Sequence, residues 1–143
     1  MVFVFMDHDL NGLLSNTDAA FDLPQIKCYM WQLLKGVEFL HSRHILHRDI
    51  KGSNVLINNR GDLRVTDFGL ARPQEEGRTR YTPGVVTRWY RPPELLLGAC
   101  EYDQSVDLWG VGCILVELFW RKSAFPGQGD FDQLELISKL CGT

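Results

Sequence analysis

His47-Arg48-Asp49-Ile50-Lys51-Gly52-Ser53-Asn54, then Asp67-Phe68-Gly69, then Arg91-Pro92-Pro93-Glu94: the reading of this chain turns on these segments in this order. Between the first two, short apolar bits flank Asn58-Asn59-Arg60-Gly61, and an Asn-Arg-Gly turn so placed predicts a β-hairpin. Upstream, Asp22 can cap a helix and Pro24 suits its first turn. Apolar residues recur at Ile26, Met30, Leu33, Leu34, Val37 and Leu40, which predicts an amphipathic helix ending near Ser42. Downstream, Ser105 to Trp120 is apolar nearly all round and predicts a helix buried in the core, with a last helix from Phe131 to Leu140. Residues 1–6 read as a short buried strand, and the polar, turn-rich residues 72–88 as a mobile loop.

Bulk properties narrow the class. With 143 residues the chain can bury one core but not two. A hydrophobic share of 45% with 23% charged residues is that of a soluble globular protein. The net charge of −3 gives no global pull toward nucleic acid or an anionic membrane, and no direct contact with either is expected. Apolar runs such as Met1–Met6 fall far short of the roughly 18 residues of a membrane span. Met1 opens into a β-like run without a basic region, which argues against a secretory signal. Cys28, Cys100, Cys113 and Cys141 form no C-x-x-C pair, which excludes a zinc ribbon and a disulfide scaffold. Cys28 and Cys113 read as small core residues of a chain kept in a reducing compartment.

The three segments together resemble the signature set of the protein kinases. The resemblance implies a mainly α fold: the helical C-terminal lobe of the kinase α+β fold, with short β-hairpins and the N-terminal lobe missing. It implies ATP and Mg²⁺ as cofactors, and the residue types suit them, because hard Mg²⁺ prefers carboxylate and amide oxygens. Asp67 and Asn54 would hold the metal ions, and Asp49 would accept a hydrogen bond from the substrate hydroxyl. Lys51 would set its ammonium near the transferred phosphoryl group, and a Lys here resembles the serine/threonine kinases. His47 would pack and hydrogen-bond beneath the Asp67-Phe68-Gly69 segment, a structural role. A zinc site on His41, His44 and His47 is rejected, since no carboxylate or cysteine nearby completes one.

Finer wording resembles the cyclin-dependent kinases. Tyr81-Thr82 before Val85-Val86-Thr87 makes Thr82 the expected activating phosphorylation site, with Arg48 and Arg72 as guanidinium partners for its phosphate. Arg91 would bond the carbonyl of Val86, leaving no acceptor for an amide after the phosphoacceptor, so proline is favoured there. Phe3-Val4-Phe5-Met6-Asp7-His8-Asp9-Leu10 looks like the hinge. Phe3 would then be gatekeeper, Val4 and Met6 would bond adenine, Asp9 the ribose, and Leu56 would form the apolar floor. Glu94 would pair with an arginine beyond these residues, and Asp107 would turn inward onto the backbone near His47 and Arg48. Met6 to Leu10, the 47–54 loop and Gln133-Leu134-Glu135-Leu136-Ile137 most resemble the transcriptional subgroup. That subgroup implies a cyclin partner, Ser/Thr-Pro substrates such as RNA polymerase II C-terminal repeats, and the nucleus, with the cytoplasm as the other compartment.

The chain therefore reads as a partial kinase domain: a hinge strand over 1–10 and a large lobe over 11–143, ending before the lobe's last helices. The competing reading is a non-catalytic lobe that binds partners or competes for substrate. The sequence holds no G-x-G-x-x-G loop, and of Lys27, Lys35, Lys51, Lys122 and Lys139 none precedes the hinge. Positioning of the phosphates supplies nearly all of the catalysis in this reaction class. The 143 residues expressed by themselves should therefore be poorly soluble and transfer no radiolabelled phosphate to a Ser-Pro peptide. Turnover that disappears on Asp49→Asn would contradict this.

Overall fold

A computed structural model describes residues 4–16, 20–74, 80–82 and 84–142. Helix α2 (Leu23–His41) begins where its residues dictate. The Asp22 carboxylate accepts from the Gln25 backbone N–H at 2.8 Å and the Gln25 side chain accepts from the Asp22 N–H at 2.9 Å, a reciprocal capping box with Pro24 in the first turn. The periodic residues Ile26, Met30, Leu33, Val37 and Leu40 form its buried stripe, while Leu34 on the same list is 46% exposed. Helix α4 (Ser105–Trp120) lies against α2, and α5 (Asp130–Cys141) packs on the one-turn helix α3 (Pro93–Leu96).

Short strands complete the fold. Strands β3 (Val55–Ile57) and β4 (Leu63–Val65) form the hairpin around Asn58-Asn59-Arg60-Gly61, with Gly61 at φ +83°. β1 (His8–Asp9) adds on the other edge of β3, and helix α1 (Leu10–Ser15) follows it directly. A second pair joins β2 (Ile45–Leu46) to β5 (Arg72–Pro73), antiparallel, with Leu46 opposite Arg72. The architecture is mainly helical with small hairpins on one side, and the core runs between α2, α4 and the hairpin.

Several expectations need correction. Residues 4–6 are not a buried strand, and Val4 and Phe5 are each 81% exposed. The register explains this: His8 lies opposite Ile57, so the residues before His8 run past the end of β3, where the chain turns toward β4. Residues 1–3 lie outside the described set. Helix α4 is not buried all round. Val106, Asp107, Gly110, Val111, Ile114 and Leu118 face inward, but Leu108, Leu115, Phe119 and Trp120 are exposed, because the described residues place no element on that side. Cys28 is exposed on α2, on the side of the helix away from the buried stripe, whereas Cys113 is in the core. The 72–88 segment is pinned at several points: β5 pairs with β2, Arg80 bridges to Glu101, and residues 88–90 form a 3₁₀ turn (residues 75–79 and 83 lie outside the described set).

Gly110 lets α4 approach the loop beside Asp49. A Cβ there would stand 2.7 Å from the Ile50 carbonyl oxygen and 3.0 Å from the Ile50 Cβ, and backbone cannot swing aside. Gly110→Ala should cost about 1–3 kcal/mol, seen as a lower urea midpoint at unchanged slope. An unchanged midpoint would show that helix and loop slide apart freely.

Candidate active site

The loop after β2 is built around one buried carboxylate. Asp107, 1% exposed in the first turn of α4, accepts from the backbone N–H groups of His47 at 2.9 Å and Arg48 at 2.8 Å. His41 at the end of α2 places its Nε2 2.8 Å from the same carboxylate. Arg48 is itself buried, at φ +67°, a left-handed conformation that costs a non-glycine residue about 1–3 kcal/mol and persists only when its surroundings impose it. Its Nε donates to the Leu70 carbonyl at 2.8 Å and its Nη1 to the Tyr102 hydroxyl at 2.9 Å. The His47 ring lies edge-on to Phe68, with centroids 5.0 Å apart, and its Nε2 is 3.0 Å from the Thr66 carbonyl.

Held this way, Asp49 gathers three partners. Lys51 Nζ lies 2.8 Å from its Oδ2, Asn54 Nδ2 donates to the same oxygen at 3.0 Å, and the Thr87 hydroxyl donates to Oδ1 at 3.0 Å. Lys51 also donates to Thr87 Oγ1 at 2.9 Å, so Thr87 closes a ring of contacts. Burial pushes the Asp49 carboxyl up, but the bonds from Lys51 and Thr87 outweigh it and hold the group below its ordinary value. Asp49 is thus a carboxylate at neutral pH. Asn54 also donates to the Asp49 carbonyl at 2.9 Å, and among the described residues its Oδ1 has no partner.

Thr66 N–H bonds the Asn54 carbonyl at 2.9 Å, which carries the exit of β4 alongside Asn54 one residue before Asp67. Asp67 is exposed at φ +63°, and among the described residues its Oδ1 accepts only from the Gly69 N–H, at 3.3 Å. Asn54 and Asp67 thus offer unspent hard oxygens, the donor chemistry that Mg²⁺ requires. No group of three or more His, Cys, Asp or Glu gathers among the described residues, so any metal here would draw on amide and substrate oxygens as well. A cleft of about 420 Å³ opens beside this site, lined by Lys51, Ser53, Thr87, Trp89 and Glu117. Clefts of about 590 and 700 Å³ follow apolar helix faces instead, and neither is lined by Asp49, Lys51, Asn54 or Asp67.

The remaining residues fall into two sets. The β1–β3 register brings Asp9 opposite Leu56, whereas Val4 and Met6 precede the strand and Phe3 lies outside the described set. Thr82 is exposed, and its carbonyl accepts from the Tyr102 hydroxyl at 3.2 Å, the hydroxyl that Arg48 also bonds. Arg72 is exposed on β5 and bonds the carbonyl of Ala71, so it is not drawn to Thr82 here. Arg91 spans the carbonyls of Val85 at 3.1 Å and Val86 at 3.1 and 3.3 Å, with Val86 at φ +70°. Glu94 makes no ion pair with the described residues.

Sequence reasoning passed over several groups. Thr87 reads from the sequence only as part of the Val85-Val86-Thr87 wording, although its place in a run of otherwise bulky residues offers a signal. Glu117, 3% exposed on α4, takes the Tyr90 hydroxyl on both oxygens at 2.8 and 2.9 Å. Burial raises Glu117 from its ordinary 4.5 to about 7, against the lowering effect of that hydroxyl.

Comparison with known proteins adds the following. The protein kinase domain family model matches residues 1–141. The chain is 53% identical, over its whole length, to Cyclin-dependent kinase C-1 of Arabidopsis thaliana, and covers 28% of that protein. It is 52% identical, again over its whole length, to the CTD kinase subunit alpha of Saccharomyces cerevisiae, of which it covers 27%. Among solved structures, the yeast RNA Pol II CTD kinase CTDK-1 complex superposes with a TM-score of 0.91 at 52% identity, over 94% of this chain and 44% of that one. The helical lobe with short hairpins is therefore a kinase-type lobe, and the chain spans less than a third of its curated relatives.

The shifted group gives a pH test. Between about 4.5 and 7 the folded chain keeps a proton on Glu117 that the unfolded chain has released. Its contribution is therefore full below pH 4.5 and is lost as pH rises through 7, so stability falls across that window. Glu117→Gln should flatten that fall in urea titrations between pH 4.5 and 7.5. An equally steep profile would show that Glu117 ionises normally.

Proposed function

The chain belongs to the protein kinase family, with cyclin-dependent kinases among its relatives, and on that premise we propose that it serves an ATP-dependent serine/threonine kinase of cyclin-dependent type. The observation that carries this reading is the Asp49 carboxylate, kept ionised against burial by bonds from Lys51 and Thr87 and further held by Asn54. A group so held accepts a hydrogen bond from a substrate hydroxyl and takes its proton as that oxygen bonds the γ-phosphorus and the ADP oxygen leaves. Lys51, already fixed between Asp49 and Thr87, sets a positive charge next to the incoming hydroxyl. Mg²⁺, held by Asn54 and Asp67, would neutralise the phosphate oxygens of ATP. Asp9 and Leu56, paired across β1 and β3, would receive the ribose and adenine, with Phe3, Val4 and Met6 completing the hinge. In this proposal residues 1–10 are the interlobe strand and 11–143 the helical lobe.

The finer assignment rests on the relatives. A yeast CTD kinase subunit and a solved CTD kinase complex support transcription-linked phosphorylation of Ser/Thr-Pro repeats, in the nucleus and with a cyclin partner. Arg91 on the Val86 carbonyl supports proline after the acceptor, since that carbonyl is already spent. Thr82 is the proposed activating phosphosite. Its carbonyl is one hydroxyl away from Arg48, and Arg72 would have to swing from Ala71 to join them.

The experiment uses the full-length protein with a cyclin, ATP and Mg²⁺, acting on a peptide of Ser-Pro repeats. Asp49→Asn should lower kcat by about 10²–10⁴-fold with little change in ATP affinity. If wild type and Asp49→Asn are equally inert but compete equally for the substrate, the non-catalytic alternative replaces this one.

A further inference from the structure

Arg91 does more than meet the Val86 carbonyl. Its Nε and Nη2 spread over the carbonyls of Gly84, Val85 and Val86 at 3.1 to 3.4 Å, while among the described residues Nη1 has one partner, the Asp130 carboxylate at 3.5 Å. The same Asp130 oxygen takes the Nε of Arg88 at 3.2 Å, so one carboxylate joins the arginine that opens the 3₁₀ turn at 88–90 to the one that follows it.

We propose that Asp130 is a positioning residue for substrate specificity, holding Arg91 on the Val86 carbonyl and so fixing the acceptance of proline after the phosphorylated residue. This rests on the proline-directed reading above. Val86 is β-branched and stands at φ +70°, a conformation such a residue leaves unless something holds it. Only a held peptide presents its carbonyl as spent; a relaxed one would turn that oxygen back toward a substrate amide. Nε and Nη2 hold one edge of the Arg91 guanidinium on the carbonyls of Gly84, Val85 and Val86, a grip that alone leaves the Nη1 edge unheld. Asp130 takes that remaining edge and so adds to the grip on the Val86 carbonyl.

Asp130 is in turn well anchored. It is the first residue of α5, where a carboxylate is favoured by the helix dipole. The segment leading into α5 is tied to the substrate-side turn by further bonds. Arg88 Nη1 donates to the Gln128 carbonyl at 3.0 Å and Trp89 Nε1 to the Gly127 carbonyl at 3.1 Å, while Gly127 N–H bonds the buried Gln133 side chain at 3.0 Å. The carboxylate thus transmits the position of α5 to a backbone conformation more than 40 residues earlier in the chain.

The test uses the full-length kinase with its cyclin and two peptides that differ only in Pro or Ala after the acceptor serine. Asp130→Ala should lower the Pro-to-Ala ratio of kcat/KM about fivefold, chiefly by gain on the Ala peptide, and Asp130→Glu should restore it. In an Arg91→Ala background Asp130→Ala should change the ratio no further. An unchanged ratio in Asp130→Ala, or a further additive fall in the double variant, overturns the proposal. If wild type shows no proline preference, the proline-directed reading fails instead. The positioning is then read from a crystal structure of Asp130→Ala: Arg91 released from the Val86 carbonyl upholds it, and Arg91 unmoved overturns it.

Discussion

The Asp107 carboxylate is the constraint from which the rest of the site follows. Two backbone N–H groups and a histidine ring meet it in the interior. Each buried donor left unmet would cost about 1–3 kcal/mol, so the loop has little choice about where His47 and Arg48 lie. With those two fixed, the Arg48 backbone enters its left-handed turn and Asp49 emerges toward Lys51, Asn54 and Thr87. The strain of that turn is small beside the bonds that impose it, which is why it survives.

Helix α4 carries two buried carboxylates with different surroundings. Asp107 at its start meets three donors, from the loop and from α2. Glu117, three turns on, has one neutral hydroxyl, and burial dominates it. The first organises the loop that holds Asp49, and the second braces Tyr90 in the turn at 88–90. A single helix therefore fixes the loop of Asp49 from its start and lines the neighbouring cleft through Glu117 near its end.

Much of this was legible in the residues, for physical reasons that can be named. Helix α2 announces itself through Asp22, Pro24 and its apolar period, and the hairpin through Asn-Arg-Gly, because these are local signals. The short helix α1 was missed: six residues with a central glycine give no period to read. The exposed side of α4 misled in the other direction, since apolar residues all round say only that cover is needed and not that it is supplied. Asp49, Asn54 and Asp67 stand out because the segments that carry them resemble, in that order, the protein kinase signature. Thr87 and Asp130 do not, since what each does depends on a partner 36 to 42 residues away, which no window on the sequence contains.

The span of the Asp107 bonds has a consequence for how the protein comes into being. They reach back 59 to 66 residues, whereas the capping box that starts α2 closes over three. Closing a longer loop costs more chain entropy, and contacts of long separation are slow to form. A chain on its way to the folded state can thus possess α2 and the hairpin while His47, Arg48 and Asp49 still lack their geometry. The cleft arrives only with the docking of α4, so a ribosome must release more than a hundred residues before there is any site to speak of.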